Sequence, residues 1–396
     1  MTQMRDVSII GIGRTDFRTG GNFIDLGGKA IKKALKDTEN LDKEEIELAY
    51  CARSFNMPMN AGQTMLLEVE MLGIGAFNVE NGFTTGATAL KDAYYDVAAG
   101  INDMVMVAGS AGVDEPGSLI THSAGQAWDV RETSYPPYEA MFAKLARAHM
   151  EKYGTTREEL AAVGVKNRNN GSLNPHAFLK NKVTEEEVLN SKTIVDPLTE
   201  YMCSPLVSGA VAFILCPTQV ASYYNDQPIR IAGCAMTSGK PGMEFLESAY
   251  DPITRAAMES YGMAKPFFRV KDIDVAQVYD LFSIRELIAY EALGFCKKGE
   301  GGKWIKEGSP MLDGELPVNT DGGLMANGLS LGGSTLAQSY ELVLQLRGKA
   351  GDRQVPDAKW ALQECGGSGG SGFCGGIGGI GFGTGGSYFV NIFTNE

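Results

Sequence analysis

No run of 18 consecutive apolar residues occurs in the 396-residue chain, which argues against a membrane-spanning helix. The first residues, MTQMRDVSIIGIG, lead into a strand-like stretch without a long apolar core, so no secretory signal is expected there. No CxxC pair exists. The seven cysteines are scattered at 51, 203, 216, 234, 296, 365 and 374, which fits reduced thiols in a cytoplasmic protein and no metal site in this chain. The Gly-x-Gly at 11–13 lacks a third glycine in register, so the dinucleotide fingerprint is not met, and no Walker-type phosphate loop is present. Positive charge is also short: 35 Lys and Arg face 48 Asp and Glu, a net charge of −13. Such a chain is poorly suited to grip a nucleic-acid backbone or an anionic membrane.

What is present is an ordinary globular composition, 44% hydrophobic and 21% charged, long enough for one large or two medium domains. Glycine is abundant at 50 residues, about 13% of the chain, against an average of about 7%. Val7–Ile12 reads as a buried strand, 24–38 and Thr85–Ala99 as helices, and Asp103–Gly109 as another buried strand. That alternation predicts a parallel sheet covered on both faces. Residues 110–200 are more polar and read as an excursion that covers a site. Val207–Leu215 returns to the core. A second alternation follows, with strands at 229–234, 275–279, 358–362 and 388–393 and helices at 251–261, 284–293 and 334–346. The expected division is 1–225 and 226–396. Residues 365–386 hold 13 glycines in 22 positions. A flexible linker is one reading; a backbone-lined loop close to a ligand is the favoured one, because glycine permits close approach and positive φ.

The segment VENGFTTGATAL (79–90) resembles the nucleophile motif of the thiolase superfamily, in its sterol-carrier-protein-type and archaeal subgroup. Segments 149–178, 196–215, VYDLFSIRELIAYEALGFCKKGEGGKW (278–304) and NTDGGLMANGLSLGGSTLAQ (319–338) are similar to later family segments in the same order. The resemblance implies an α/β thiolase fold: two βαβαβαββ halves in five layers, with a covering loop region. It also implies a homodimer, coenzyme A as thioester carrier, and a small zinc-ribbon/OB-fold partner completing a heterotetramer.

The departures bear on chemistry. Phe83 stands at the nucleophile position, Leu329 at the position of the Gly-His-Pro histidine, and Tyr279 where the subgroup often has His before Asp. Phenylalanine forms no acyl-enzyme, and leucine moves no proton. The standard two-step acyl transfer therefore cannot run on these positions. A retro-aldol cleavage of a β-hydroxyacyl-CoA needs no covalent step, and thiolase-fold aldolases of steroid side-chain breakdown look similar in carrying Tyr-Asp and lacking the Cys. Such a reaction needs proton transfer and enolate stabilisation. Tyr279 and Asp280 are the candidates for proton transfer, although Asp280 serves equally well as a cap for the helix that follows. The backbone at Gly366, Gly367, Gly369 and Gly370, and the helix start at Thr84–Gly86, are candidates for holding an oxyanion.

Two alternatives stay open. Cys365 or Cys374 could supply a relocated thiol for thiolysis of a bulky or aromatic β-oxoacyl-CoA, or the chain could be an inactive acyl-CoA-binding scaffold. Asn319 is read as holding a loop and Ser330 as replacing a lost polar contact. Lys166 and Arg168 are the resemblance's candidates for coenzyme A phosphates. His122 and His149 read as surface or loop residues, and His176 as part of the covering region.

Overall fold

A computed structural model of the chain describes residues 4–18, 20–53, 57–113, 116–118, 138–366 and 386–396. The first half of the core runs β1 (Val7–Arg14), α1 (Phe23–Lys36), β2 (Leu48–Ala52), α2 (Ala61–Leu67), β3 (Gly75–Val79), α3 (Thr85–Ala99) and β4 (Val105–Ala111). The excursion holds α4 (Tyr138–Tyr153), α5 (Arg157–Gly171) and α6 (Glu185–Asn190), then a small ribbon of β5 (Thr193–Val195) and β6 (Leu198–Thr199). The chain re-enters at β7 (Gly209–Pro217), α7 (Thr218–Tyr224) and β8 (Ile229–Ser238). It continues through α8 (Glu247–Ala264), β9 (Val275–Gln277), α9 (Ser283–Ala292), α10 (Gly301–Lys306), α11 (Gly323–Asn327) and α12 (Ser334–Leu346). The last elements are β10 (Trp360–Gly366) and β11 (Ser387–Thr394).

Local chemistry accounts for these elements. In α1, Asn22 accepts from the amides of Ile24 and Asp25, and Lys33 and Lys36 lie in the last turn, where the helix dipole favours cations. Leu26, Ala30, Ile31 and Ala34 form its buried stripe. Thr156 and Thr184 open α5 and α6 with reciprocal capping boxes. β1 and β7 are buried along their whole length, which suits central strands.

Among the described residues, nine strands form one sheet in the order β3-β2-β4-β7-β1-β8-β11-β10-β9. The sheet is mixed, which corrects the expected parallel arrangement. β2 runs parallel to β3 and β4, and β9 parallel to β10, but the pairs β1–β7, β4–β7, β8–β11 and β10–β11 are antiparallel. The parallel pair β2–β3 is joined through a single helix, α2, as parallel neighbours require a crossover. Beyond the expected strands, β2 and β3 also form, and β10 extends to Gly366.

The layers follow from packing. α1 lies on β1, β4 and β7. α3 and α12 pack on each other, with β2 and β4 against α3 and β9 and β10 against α12. α8 covers β8 and β11. The order is thus helix, strands, helix pair, strands, helix. Glycines permit the closest approaches: a Cβ on Gly109 of β4 would lie 2.1 Å from the carbonyl oxygen of Gly332, at the entry to α12.

Gly109→Ala is therefore expected to destabilise the fold by about 1–3 kcal/mol through overpacking. Urea unfolding of the two proteins measures this; equal midpoints and slopes would show that the interface yields.

Candidate active site

The segment after β9 runs extended through Val278, Tyr279 and Asp280 into α9. Neighbouring segments clamp it at every step. The Val278 amide donates to Asn319 Oδ1 at 2.9 Å, and the Tyr279 amide to Glu364 Oε2 at 3.2 Å. The Ser204 amide and hydroxyl donate to the carbonyls of Leu281 and Asp280, both at 3.0 Å. Asn319 adopts φ +54, which asparagine tolerates better than most residues. Its Nδ2 donates to Glu286 at 3.1 Å.

Beneath this segment lies a buried polar network. Lys166 Nζ is 2.8 Å from Glu286 Oε1, with both side chains closed to solvent. Lys166 also donates to the Val318 carbonyl at 2.7 Å. Asn167 donates to Glu286 at 2.6 Å and to Asp280 at 2.7 Å, and the Tyr290 hydroxyl donates to Glu286. Asp280 additionally accepts from the amides of Leu324 at 2.6 Å and Met325 at 3.1 Å. Burial and the charge of Glu286 push its carboxyl up to about 8, while those two amides pull the other way.

Asp280 does cap a helix, but it is α11 rather than the helix that follows it. Both carboxylate oxygens are committed, which takes Asp280 out of the pair proposed for proton transfer. A Cβ on Gly323 would lie 2.3 Å from Asp280 Oδ2, so the cap requires glycine there.

Tyr279 is different. Its ring is buried, and among the described residues its hydroxyl has no hydrogen-bond partner. Burial holds the phenol well above its usual range, with Cys365, Asp280 and Glu364 acting in the same direction and Arg285 opposing. The side chain at rest is a neutral phenol. Tyr279, Phe83, Leu329 and Cys365 all belong to one buried apolar cluster, and the turn at Gly82–Thr84 packs on β10 and β11. Cys365 lies near enough to act electrostatically on Tyr279, and Phe83 and Leu329 belong to the same large cluster.

Other expected residues have structural duties. The Thr84 amide donates to Asn81 at 3.2 Å and the Thr85 amide to Gly82. The Ala87 amide donates to Thr335 Oγ1 at 2.9 Å. The amides of Thr84, Thr85 and Ala87 are therefore taken by the protein's own acceptors, which speaks against an oxyanion held on them. Gly86 lets α3 approach α12, since a Cβ would meet Thr335 Oγ1 at 2.6 Å. Ser330 Oγ donates to the Gly209 carbonyl at 2.9 Å, and the backbone of Leu329 bridges to Pro205 and Val207.

Cys365 is fully buried on β10, and burial beside Glu364 raises its thiol well above the ordinary value, against thiolate formation. Gly366 ends β10. Gly367, Gly369, Gly370 and Cys374 lie outside the described residues, as does His122. Lys166 is spent on Glu286, and Arg168 is 6% exposed with its guanidinium 4.5 Å from the Tyr201 ring centre. The commitment of Lys166 to Glu286 and Val318 speaks against its assignment to a coenzyme A phosphate, while no carboxylate pairs with Arg168 among the described residues. His149 is buried, with Nδ1 2.7 Å from Thr155 Oγ1 and Nε2 3.3 Å from Glu291, not on the surface.

Sequence reasoning missed a second group. Arg285 Nη2 is 2.6 Å from Glu364 Oε1 in a buried ion pair. Among the described residues, Arg285 Nη1 and the hydroxyl of buried Tyr388 have no partner. Tyr388 pairs with Gly366 across β10 and β11, and the Arg285 guanidinium lies 5.7 Å from its ring centre. Each buried polar atom left unpaired costs about 1–3 kcal/mol. The readable signal was charge in apolar surroundings: Arg285-Glu286 in LFSIRELIAY and Glu364 in WALQECG.

The comparisons with known proteins agree with this fold. Residues 7–219 match the family described as thiolase, N-terminal domain, and residues 228–373 match the thiolase C-terminal domain-like family. The chain belongs to the thiolase family. It is 36% identical over 380 residues to an acetyl-CoA acetyltransferase of Methanothermobacter thermautotrophicus, covering 93% of this chain and 98% of that protein. It is 32% identical over 359 residues to benzoylsuccinyl-CoA thiolase subunit BbsB of Thauera aromatica, covering 89% and 91%. Among solved structures, the Ltp2-ChsH2(DUF35) aldolase superposes with a TM-score of 0.78 at 24% identity, over 99% of this chain and 98% of that one. Among the described residues, no helix is long and apolar enough to cross a membrane, and no cluster of three or more His, Cys, Asp or Glu could hold a metal ion.

Lys166→Met leaves Glu286 buried without its counter-charge. The expected result is a loss of about 3–5 kcal/mol in unfolding free energy, seen by chemical denaturation. A variant of unchanged stability but weakened coenzyme A affinity would restore the phosphate-binding role.

Proposed function

We propose that this protein makes or breaks a carbon–carbon bond in a coenzyme A thioester without an acyl-enzyme, by aldol chemistry on a bulky, branched or aromatic β-hydroxyacyl-CoA. The observation that carries the reading is the unpartnered Tyr279 hydroxyl in the buried cluster where Phe83 and Leu329 replace the thiolase Cys and His.

In cleavage, the β-hydroxyl proton passes to the Tyr279 oxygen as phenolate. The bond between the α and β carbons breaks, its electron pair enters the thioester enolate, and the α carbon then takes up a proton. In the forming direction the same steps run in reverse: the phenolate takes the α proton, the enolate carbon attacks the carbonyl carbon, and the phenol gives that proton to the new alkoxide. Because the phenol is held protonated, both directions draw on the small deprotonated fraction. The positions of coenzyme A and of the enolate oxygen are not assigned to residues.

The same proposal includes a homodimer, a division into halves at 1–225 and 226–396, and a cytoplasmic setting. The partner of the aldolase that superposes on this chain, ChsH2(DUF35), supports a small accessory subunit here as well. Thiolysis through Cys365 is the weaker reading, since its thiol resists ionisation. The inactive scaffold predicts that nothing depends on the Tyr279 hydroxyl.

Intact mass after incubation with a panel of acyl-CoAs is the first test: no covalent adduct is expected, and an adduct on Cys365 or Cys374 would establish a thiolase nucleophile instead. Cleavage of β-hydroxyacyl-CoAs should climb with pH, with no plateau below pH 10, because the phenol's proton affinity is raised. Tyr279→Phe should remove the activity by at least a hundredfold. A flat pH profile or an active Tyr279→Phe variant would sink the assignment of Tyr279.

A further inference from the structure

The Arg285–Glu364 pair and Tyr388 take no part in the proton transfer above, yet they leave two buried donors unused. Nη2 of Arg285 is held by Glu364 at 2.6 Å, and this anchors the guanidinium, while among the described residues Nη1 has no acceptor. The Tyr388 hydroxyl also has none, and its ring lies 5.7 Å from the guanidinium carbon. Both side chains are at least 97% buried. Gly366 makes room for them: a Cβ there would lie 2.3 Å from Arg285 Nη2 and 2.6 Å from Tyr388 Cδ1. Arg285 also acts electrostatically on Tyr279 and Cys365, so the free donors adjoin the candidate active site.

We infer that Arg285 Nη1 and Tyr388 Oη form a recognition point for an oxygen acceptor carried on the acyl group, separate from the thioester and the β-oxygen. This rests on the coenzyme A thioester reading above. A hydrocarbon acyl chain leaves both donors unpaired, whereas an oxygenated one satisfies them, and a site built to hydrogen-bond an oxygen discriminates against the analogue without it. Glu364 already neutralises Arg285. A carboxylate would add an uncompensated negative charge in a buried place, so the matching acceptor is a neutral carbonyl or hydroxyl oxygen.

The test uses equilibrium binding of non-cleavable probes to the full chain by calorimetry. Hexanoyl-CoA is compared with 4-oxohexanoyl-CoA and 5-oxohexanoyl-CoA, octanoyl-CoA with 7-oxooctanoyl-CoA, and adipoyl-CoA supplies a carboxylate. At least one oxo probe is expected to bind tenfold or more tightly than its hydrocarbon match, and adipoyl-CoA no better than that match. Tyr388→Phe should reduce the oxo preference several-fold without lowering the melting temperature, because the hydroxyl has no partner within the fold. The paired substitution R285Q with E364Q, which removes both charges together, should abolish the preference. Equal affinities across every matched pair, a preference that survives Tyr388→Phe, or tightest binding of adipoyl-CoA would overturn the inference. If no acyl-CoA binds at all, the thioester reading fails and takes this inference with it.

Discussion

The position of Tyr279 depends on one buried ammonium. Lys166 neutralises Glu286 at 2.8 Å, and Asn167 joins Glu286 to Asp280. Asp280 in turn holds the start of α11, while Glu286 holds Asn319, whose Oδ1 receives the amide of Val278. Without Lys166, two carboxylates would share a closed site with no positive charge, a situation that low dielectric makes severely unfavourable. With it, the segment 278–281 has almost no freedom, and the phenol at its centre is aimed by its neighbours rather than by contacts of its own. A polar network of this kind stabilises only when its members are nearly all satisfied. Among the described residues, the buried atoms without a partner around it include those of Gln277, Tyr279, Ser283, Arg285 and Tyr388, which flank the network of Lys166, Asn167, Asp280 and Glu286.

Much of the fold was legible because its signals are local. The buried strands at 7–12 and 209–215, the amphipathic α1 and the small-residue α3 all show in hydrophobic period, and motif order points to the thiolase family across the chain. Strand direction was not legible. Alternation of strands and helices suggests parallel pairing, but β7 arrives after a long excursion and pairs antiparallel with both β1 and β4.

The site was legible in part, and the division has a physical cause. Replacement of a nucleophile by Phe83 is visible at a single position. The duty of Asp280 is not, because a helix N-terminus accepts any carboxylate within reach, and α11 begins more than forty residues later. Adjacency pointed to α9; the chain's path points to α11. Lys166 illustrates the same limit. A basic residue in a covering region suggests a phosphate, yet its partner Glu286 lies 120 positions away. The Arg285–Glu364 pair spans 79 positions, and only the oddity of charge within apolar runs marks it.

These departures from the thiolase pattern form a coherent set. A catalytic thiolate needs positive potential, from a helix N-terminus and from a histidine. In this chain the positions that the resemblance assigns to the thiol and the histidine hold Phe83 and Leu329, and the amides of Thr84, Thr85 and Ala87 are taken by Asn81, Gly82 and Thr335. Each change removes support for an anion at position 83, and together they leave a dry, apolar wall there. A dry wall has the opposite effect on a phenol, since it favours the neutral form and strengthens any hydrogen bond that the hydroxyl makes. On the proposed reading, an apolar residue at position 83 and the high proton affinity of Tyr279 both follow from apolar surroundings, which disfavour an anion at either place.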